Sequence, residues 1–261
     1  MGSKPEHGRD AQREEKVANT ARYFAENLTV AGANFFRSHL ELVRFIGFVG
    51  ELATRNDKVW ETLDDLLSDG TEEKKFPKGQ SQRELNQFRR LLAEVLLSRA
   101  VDSYLTYVSE LLSLVFKERP ETLRSKEQVR IDFILSFDSM EELQEAVAER
   151  RVERLAYRGM AELVGWMKET LGFSLVSDRD RLKVIERLVE QRNLIVHHRA
   201  VIDHRYVRRL GPSDGVAGEM LGVKEGARHA ATTLAEAVGD ADQRAASKWG
   251  LERKPFSPSS T

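Results

Sequence analysis

Apolar positions spaced three and four apart run through most of the chain, and they predict helices. The first such run spans about Glu15 to Leu67, with Gly47 and Gly50 inside it as marks of a kink or a close helix contact. It breaks at Ser68-Asp69-Gly70, and a polar loop follows through Lys74, Pro77 and Gly79. A long helix is predicted over 82–117, ending near Pro120. Shorter helices follow over 126–136, 140–148, 150–170 and 178–199. Ser81-x-x-Glu84, Ser125-x-x-Gln128 and Ser139-x-x-Glu142 fit the capping box, in which hydroxyl and carboxylate or amide satisfy free N–H groups at a helix start. Ser177-x-x-Asp180 is a weaker version, and Gly172 is placed to end the preceding helix. Gly211-Pro212-Ser213-Asp214-Gly215 reads as a turn or linker, and a last helix is predicted over 224–249.

The pattern divides the chain into a polar, disordered start over 1–15, a helical extension over 16–80, a helical domain over 81–210, and a linker, helix and tail over 211–261. The fold class is all-α, an antiparallel helical bundle with extra N- and C-terminal helices. Composition agrees. Apolar residues make up 41% of the 261, enough for a large core, and six prolines with few alternating apolar runs argue against a strand-rich fold. Charged residues make up 32%, as long helices with solvated faces require. The most apolar stretch, about Leu28 to Ala53, carries Arg37, His39, Glu41 and Arg44, so it is no membrane span. The N-terminus is polar and charged and shows no signal-peptide pattern, so a cytoplasmic location is expected.

A net charge of −1 removes the strongly basic, histone-like class of nucleic-acid binder and leaves room for a local basic site. The absence of cysteine removes disulfide frameworks, thiolate zinc sites and cysteine nucleophiles.

One helix breaks its own pattern. At about 100° per residue, Leu182, Ile185, Leu188, Val189 and Val196 share a face of the 178–199 helix, and Arg192 falls near the middle of it. A guanidinium there is costly unless it is paired or lines a polar cavity. It either meets a buried carboxylate or faces a cleft or interface. Asn193 and His197 are four apart and sit together at the edge of the stripe. His197 can equally be a core histidine with a partner of its own.

Arg192-Asn193-Leu194-Ile195-Val196-His197, with Val201-Ile202-Asp203 after it, resembles the signature of the HEPN superfamily: an arginine, a polar residue, and a histidine after four to six positions, on the last core helix of an all-α bundle. The RiboL-PSP-like branch is the nearest match, covering about 82–207. The resemblance implies a metal-independent endoribonuclease with no cofactor, in which two protomers face each other across the motif helices and form one composite site. His197 would then be the general acid–base, Arg192 would hold the scissile phosphate, and Asn193 would orient one or the other. His198 also satisfies the spacing and points about 100° away; His197 is preferred because it shares a face with Asn193. The expected partners are RNA, a second copy of the chain, and an antitoxin or a partner in antiviral defence. The alternative is a non-catalytic HEPN module that binds nucleotide or RNA or serves dimerisation.

His197, His198, Asp203 and His204 cluster within eight positions, but adjacent helical histidines diverge and are poor joint ligands, so no metal is expected. Arg199, Arg205, Arg208 and Arg209 form a basic run that is either an RNA-contacting edge or a solvated helix end. Asp102, Ser103 and Glu110 lie on the long helix, where polar groups can approach the motif. Trp60, Trp166 and Trp249 read as packing residues.

Overall fold

The computed structural model describes residues 27–67, 79–123, 130–223 and 226–257. The expected disordered start over 1–15, the break at 68–70 and the capping box at Ser125 lie outside these residues.

The fold is all-α. A two-residue strand β1 (Asn27–Leu28) leads into α1 (Val30–Leu67), α2 (Gln80–Gln87) and α3 (Arg89–Glu118). A 3₁₀ turn and the short α4 (Ile131–Ile134) lead to α5 (Met140–Arg158), α6 (Met160–Leu171) and α7 (Arg179–His198). Then come α8 (His204–Leu210), α9 (Gly226–Trp249) and β2 (Lys254–Pro255), which pairs antiparallel with β1.

The centre of the bundle is α3. Leu97, Val101, Tyr104, Val108, Leu111 and Val115 repeat every three or four residues and are all buried, a broad apolar stripe of the kind a core helix needs. α1, α5, α7 and α9 pack around it. On α9 the buried positions are largely alanines, among them Ala230, Ala241 and Ala245. Alanine favours the helix and its small side chain allows close approach to α3. One core runs from Leu28 through Leu251, so α1 and α9 share it with the helices of the expected 81–210 unit.

Boundaries differ from expectation where tertiary contacts replace local ones. The helix expected over 82–117 is two helices, broken at Phe88. The break expected between 148 and 150 falls at Gly159, which takes a positive φ of 94°. Within the linker, helix and tail expected over 211–261, Pro255 is in β2 and Phe256 packs on the core. Ser81 is not the cap expected of it. Its backbone N–H and that of Gln82 donate to the Asp57 carboxylate of α1, at 2.7 and 3.1 Å. Desolvation would raise the Asp57 pKa, but these hydrogen bonds outweigh it and hold the group below its ordinary value. At α7 the cap is Asp178, one residue past Ser177, whose hydroxyl donates to Asp240 instead. Ser139 does cap α5, accepting from Glu142 N at 3.1 Å, while the Glu142 carboxylate takes the N–H of Asp138. Gly172 ends α6 in the left-handed region, as expected.

The start of α1 is held by a carboxylate 213 residues away. Asp242 of α9 is fully buried and accepts from Thr29 N at 2.9 Å and Thr29 Oγ1 at 2.5 Å. Gly32 passes so close that a Cβ there would lie 2.7 Å from the Asp242 carboxyl carbon. Gly47 and Gly50 have nothing within 4 Å of a Cβ, so they mark no close contact, and α1 continues through both.

Gly32→Ala is therefore expected to destabilise the fold, by about 1–3 kcal/mol, because buried Asp242 cannot swing away. Gly47→Ala is expected to stabilise it by about 0.5–1 kcal/mol. Urea unfolding of both variants checks the pair of opposite signs.

Burial also raises the Asp242 pKa, with the Thr29 hydrogen bonds opposing. The folded chain keeps that proton to higher pH than the unfolded chain does. The resulting stability is fully present below the ordinary aspartate value and is lost as pH rises through the raised value. The stability of wild type minus that of Asp242→Asn, measured by urea unfolding from about pH 3 to about pH 7, should fall as pH rises. A difference that grew with pH would contradict this account.

Candidate functional site

Helix α7 forms for local reasons. Asp178 accepts from the N–H groups of Asp180 and Arg181, and those bonds hold its pKa below the ordinary value. Ile185, Leu188 and Val189 are buried against the bundle. The buried stripe then stops. Arg192 is only partly buried, and Val196, on the same face, is 48% exposed. On the far side Leu194 is buried, in the same core cluster as Ala200, Ile202, Tyr206 and Leu221 of the following segment.

The chain leaves α7 sharply. Arg199 and Ala200 take φ values of 53° and 59°, the left-handed region that non-glycine residues avoid at a cost of roughly 1–2 kcal/mol each. Ala200 N donates to Leu194 O at 2.9 Å, closing the helix end. Ile202 and Leu221 then pair through backbone bonds with Glu219 and Ala200, which fixes the turn.

Arg192 meets a carboxylate. Its Nε donates to Asp102 Oδ1 of α3 at 2.8 Å, and Nη1 donates to Asn193 Oδ1 at 3.4 Å. The Arg192 side chain is 22% exposed and that of Asp102 41%, so the pair sits at a groove wall and not in the core. The groove has a volume of about 700 Å³. Val30 and Asn34 of α1 form one side, Arg192 another, and α3 the floor, through Asp102, Thr106, Ser109, Glu110 and Ser113. Within α1, Arg37 Nη1 donates to Asn34 Oδ1 at 2.8 Å, and from α1 to the floor Asn34 Nδ2 donates to Glu110 Oε2 at 3.1 Å. Burial raises the Glu110 pKa, with the Asn34 bond opposing.

Both candidate histidines are exposed at the end of α7. His198 Nε2 lies 3.7 Å from Asp203 Oδ2, and the other oxygen of that carboxylate accepts from Tyr206 N to cap α8. His198 thus lies near a structural carboxylate but beyond hydrogen-bond distance of it, and His197 is exposed on the side of Asn193. The structure brings Arg192 and Asn193 together with Asp102, and sets His197 and His198 one turn further along the helix. Among the described residues, no three His, Cys, Asp or Glu side chains gather as a metal ion would require. Arg209 of the basic run pairs with Glu190, while Arg199, Arg205 and Arg208 are exposed.

Asp102 is the residue that sequence spacing did not single out. Its signal is weak but real: Asp102 and Glu110, eight apart, place two carboxylates on the polar face of a core helix, with Thr106, Ser109 and Ser113 beside them. Ser103, named beside them, faces elsewhere and lines a small gap with Phe35 and His39. Trp249 is buried against Phe173, and Trp166 packs edge-on to Phe116. The Trp60 side chain lies outside the described residues.

Comparison with family models, curated proteins and solved structures finds no match to this chain. No described helix is long and apolar enough to cross a membrane.

A partly exposed pair holds a side chain in place at small net stabilisation. A double-mutant cycle on Arg192→Ala and Asp102→Ala should give a coupling of about 0.2–1 kcal/mol in urea unfolding. A coupling of about 3 kcal/mol or more would instead identify a core ion pair.

Proposed function

We propose that the chain is a metal-independent endoribonuclease of HEPN type, with Arg192, Asn193 and His197 as its working groups. The observation that carries this reading is the placement of Arg192: a guanidinium on the bundle face of α7, held by Asp102 and Asn193 at the wall of an open groove. Two bonds occupy two of its five N–H donors, which leaves donors for a phosphate. The left-handed pair Arg199–Ala200, directly after the two histidines, is backbone strain of the sort that accumulates near working sites.

In this reading the scissile phosphate of a single RNA strand binds the outer edge of Arg192. His197 accepts the proton of the ribose 2′-hydroxyl, and the 2′-oxygen attacks the adjacent phosphorus. The bond to the 5′-oxygen breaks, and that oxygen leaves with a proton from a histidine. The product ends are a 2′,3′-cyclic phosphate and a 5′-hydroxyl. Arg192 stabilises the charge that builds on the phosphoryl oxygens, and Asn193 fixes the guanidinium plane. DNA lacks the 2′-hydroxyl and is not cut. One helix presents a single histidine at a time to the phosphate, so a second protomer, facing the first, supplies the other half of a composite site. An antitoxin or defence partner would act by covering that cleft, and the reading places the protein in the cytoplasm with its RNA.

The test is cleavage of a single-stranded RNA by the pure chain with chelator present. His197→Ala should lower the rate by about 10²–10⁴-fold, and Arg192→Ala by about 10²–10³-fold. His198→Ala should leave most activity. Equal loss in His197→Ala and His198→Ala assigns both to the site, and full activity in Arg192→Ala sinks the proposal. RNA binding without cleavage, weakened in Arg192→Ala, would support the non-catalytic HEPN module instead.

A further inference from the structure

The outer half of the α1–α3 pair carries apolar side chains that nothing among the described residues covers. On α1, Phe45, Phe48, Leu52 and Val59 are each more than half exposed. Their spacing of three, four and seven, with Arg55 at the remaining step, is a heptad seam. On α3 and at its start, Phe88, Leu91 and Val95 are exposed to the same degree and have the same spacing. The inner faces of both helices lie away from these stripes: Leu42 packs on the core on α1, and Leu97, Ala100 and Val101 are buried on α3.

The two stripes belong to one surface. Asn34 lies eleven residues, about three turns, before Phe45, and so on the same side of α1. Asp102 lies seven residues, about two turns, after Val95, and so on the same side of α3. Asn34 and Asp102 line the same groove. The polar groove and the apolar stripes are therefore two stretches of one outward face of an antiparallel helix pair.

We infer that this face is covered by a second copy of the chain, and that the two α1–α3 pairs close around a two-fold axis into a four-helix seam. Heptad spacing is the periodicity of helix-on-helix packing. At about 100 Å² of exposed area for each half-exposed large apolar side chain, seven of them offer about 700 Å² per protomer, near the ~800 Å² per partner of a standard interface. Two ion pairs within the helices, Glu51–Arg55 on α1 and Arg90–Glu94 on α3, lie along the stripes. These four charges are already partnered within their own helix, so they do not bar a second copy of the same face. The inference does not depend on RNA cleavage and stands if the chain cuts nothing.

Sedimentation velocity of the full chain over a micromolar-to-submillimolar series tests it. Wild type should sediment as two chain masses. The double variant F48E/L91E, altered only at exposed positions, should keep its helical circular dichroism and sediment as one mass, with dimerisation weakened at least a hundredfold. Val216→Glu, exposed away from this face, should remain a dimer. The chain contains no cysteine, so Leu52→Cys and Val95→Cys provide a second readout that needs no disruptive charge. Each should cross-link copy to copy with a short bis-maleimide, while Val216→Cys should not. A wild type that stays monomeric throughout, a helical F48E/L91E that still dimerises, or cross-linking at Val216→Cys alone would overturn the inference.

Discussion

The buried carboxylate of Asp242 is the constraint from which the rest of the arrangement follows. It braces the local cap at the start of α1, where Thr29 Oγ1 accepts from Gly32 N, by accepting the backbone and hydroxyl hydrogens of Thr29 from inside the core. A carboxylate in that position costs desolvation, which its raised pKa records. The cost is tolerable because both oxygens are hydrogen-bonded and because the helix start offers unpaired N–H groups. The consequence is geometric. With α1 fixed on α9 at its first turn and the strand pair β1–β2 beside it, Val30 and Asn34 must lie along α3, and the groove at Arg192 exists because they do.

Which groups meet the free N–H groups at each helix start explains which parts of the fold were legible in the sequence. Ser139 and Gly172 act through neighbours within a few residues, and their roles follow from spacing. Ser81 and Ser177 fit the same patterns but yield to Asp57 and Asp178, because a carboxylate is the stronger acceptor for a helix-start N–H. The break at Phe88 carries no glycine or proline, so no local signal marks it. α7 itself was legible almost to the residue, since its cap, stripe and end are all local. Arg192 was legible as an intrusion on an apolar face. Its partner was not, because a helical wheel describes one helix and is silent about what another brings to it. Either reading of the intrusion, a paired guanidinium or the wall of a cleft, taken alone would have been incomplete: the residue is both.

That double character sets what Arg192 can do. A fully buried pair with Asp102 would lock the guanidinium and leave nothing for a ligand. A fully solvated arginine would be mobile and would lose entropy on meeting a phosphate. Held through Nε by a partly exposed carboxylate, the side chain keeps its plane and leaves its outer edge open. The histidines differ in the same terms. His198 faces, at 3.7 Å, a carboxylate already committed to capping α8. His197 is exposed and has no carboxylate partner among the described residues, so on the proposed reading a substrate or a second chain would set its position.

The groove and the apolar stripes lie on one face, and this matters for how a polar site can work on so exposed a surface. An open groove leaves its charges in high dielectric, where a phosphate contact contributes little. A partner seated on Phe48 and Leu91 would extend over the adjoining groove and exclude water from its near end, strengthening each electrostatic contact there without any change in the residues. It would also deepen the burial of Glu110, whose pKa already rises from desolvation. On that inference the apolar half of the face would supply association, and the polar half would gain from it. Both α1 and α3 run through the two halves, and the length of α1 beyond the core carries one to the other.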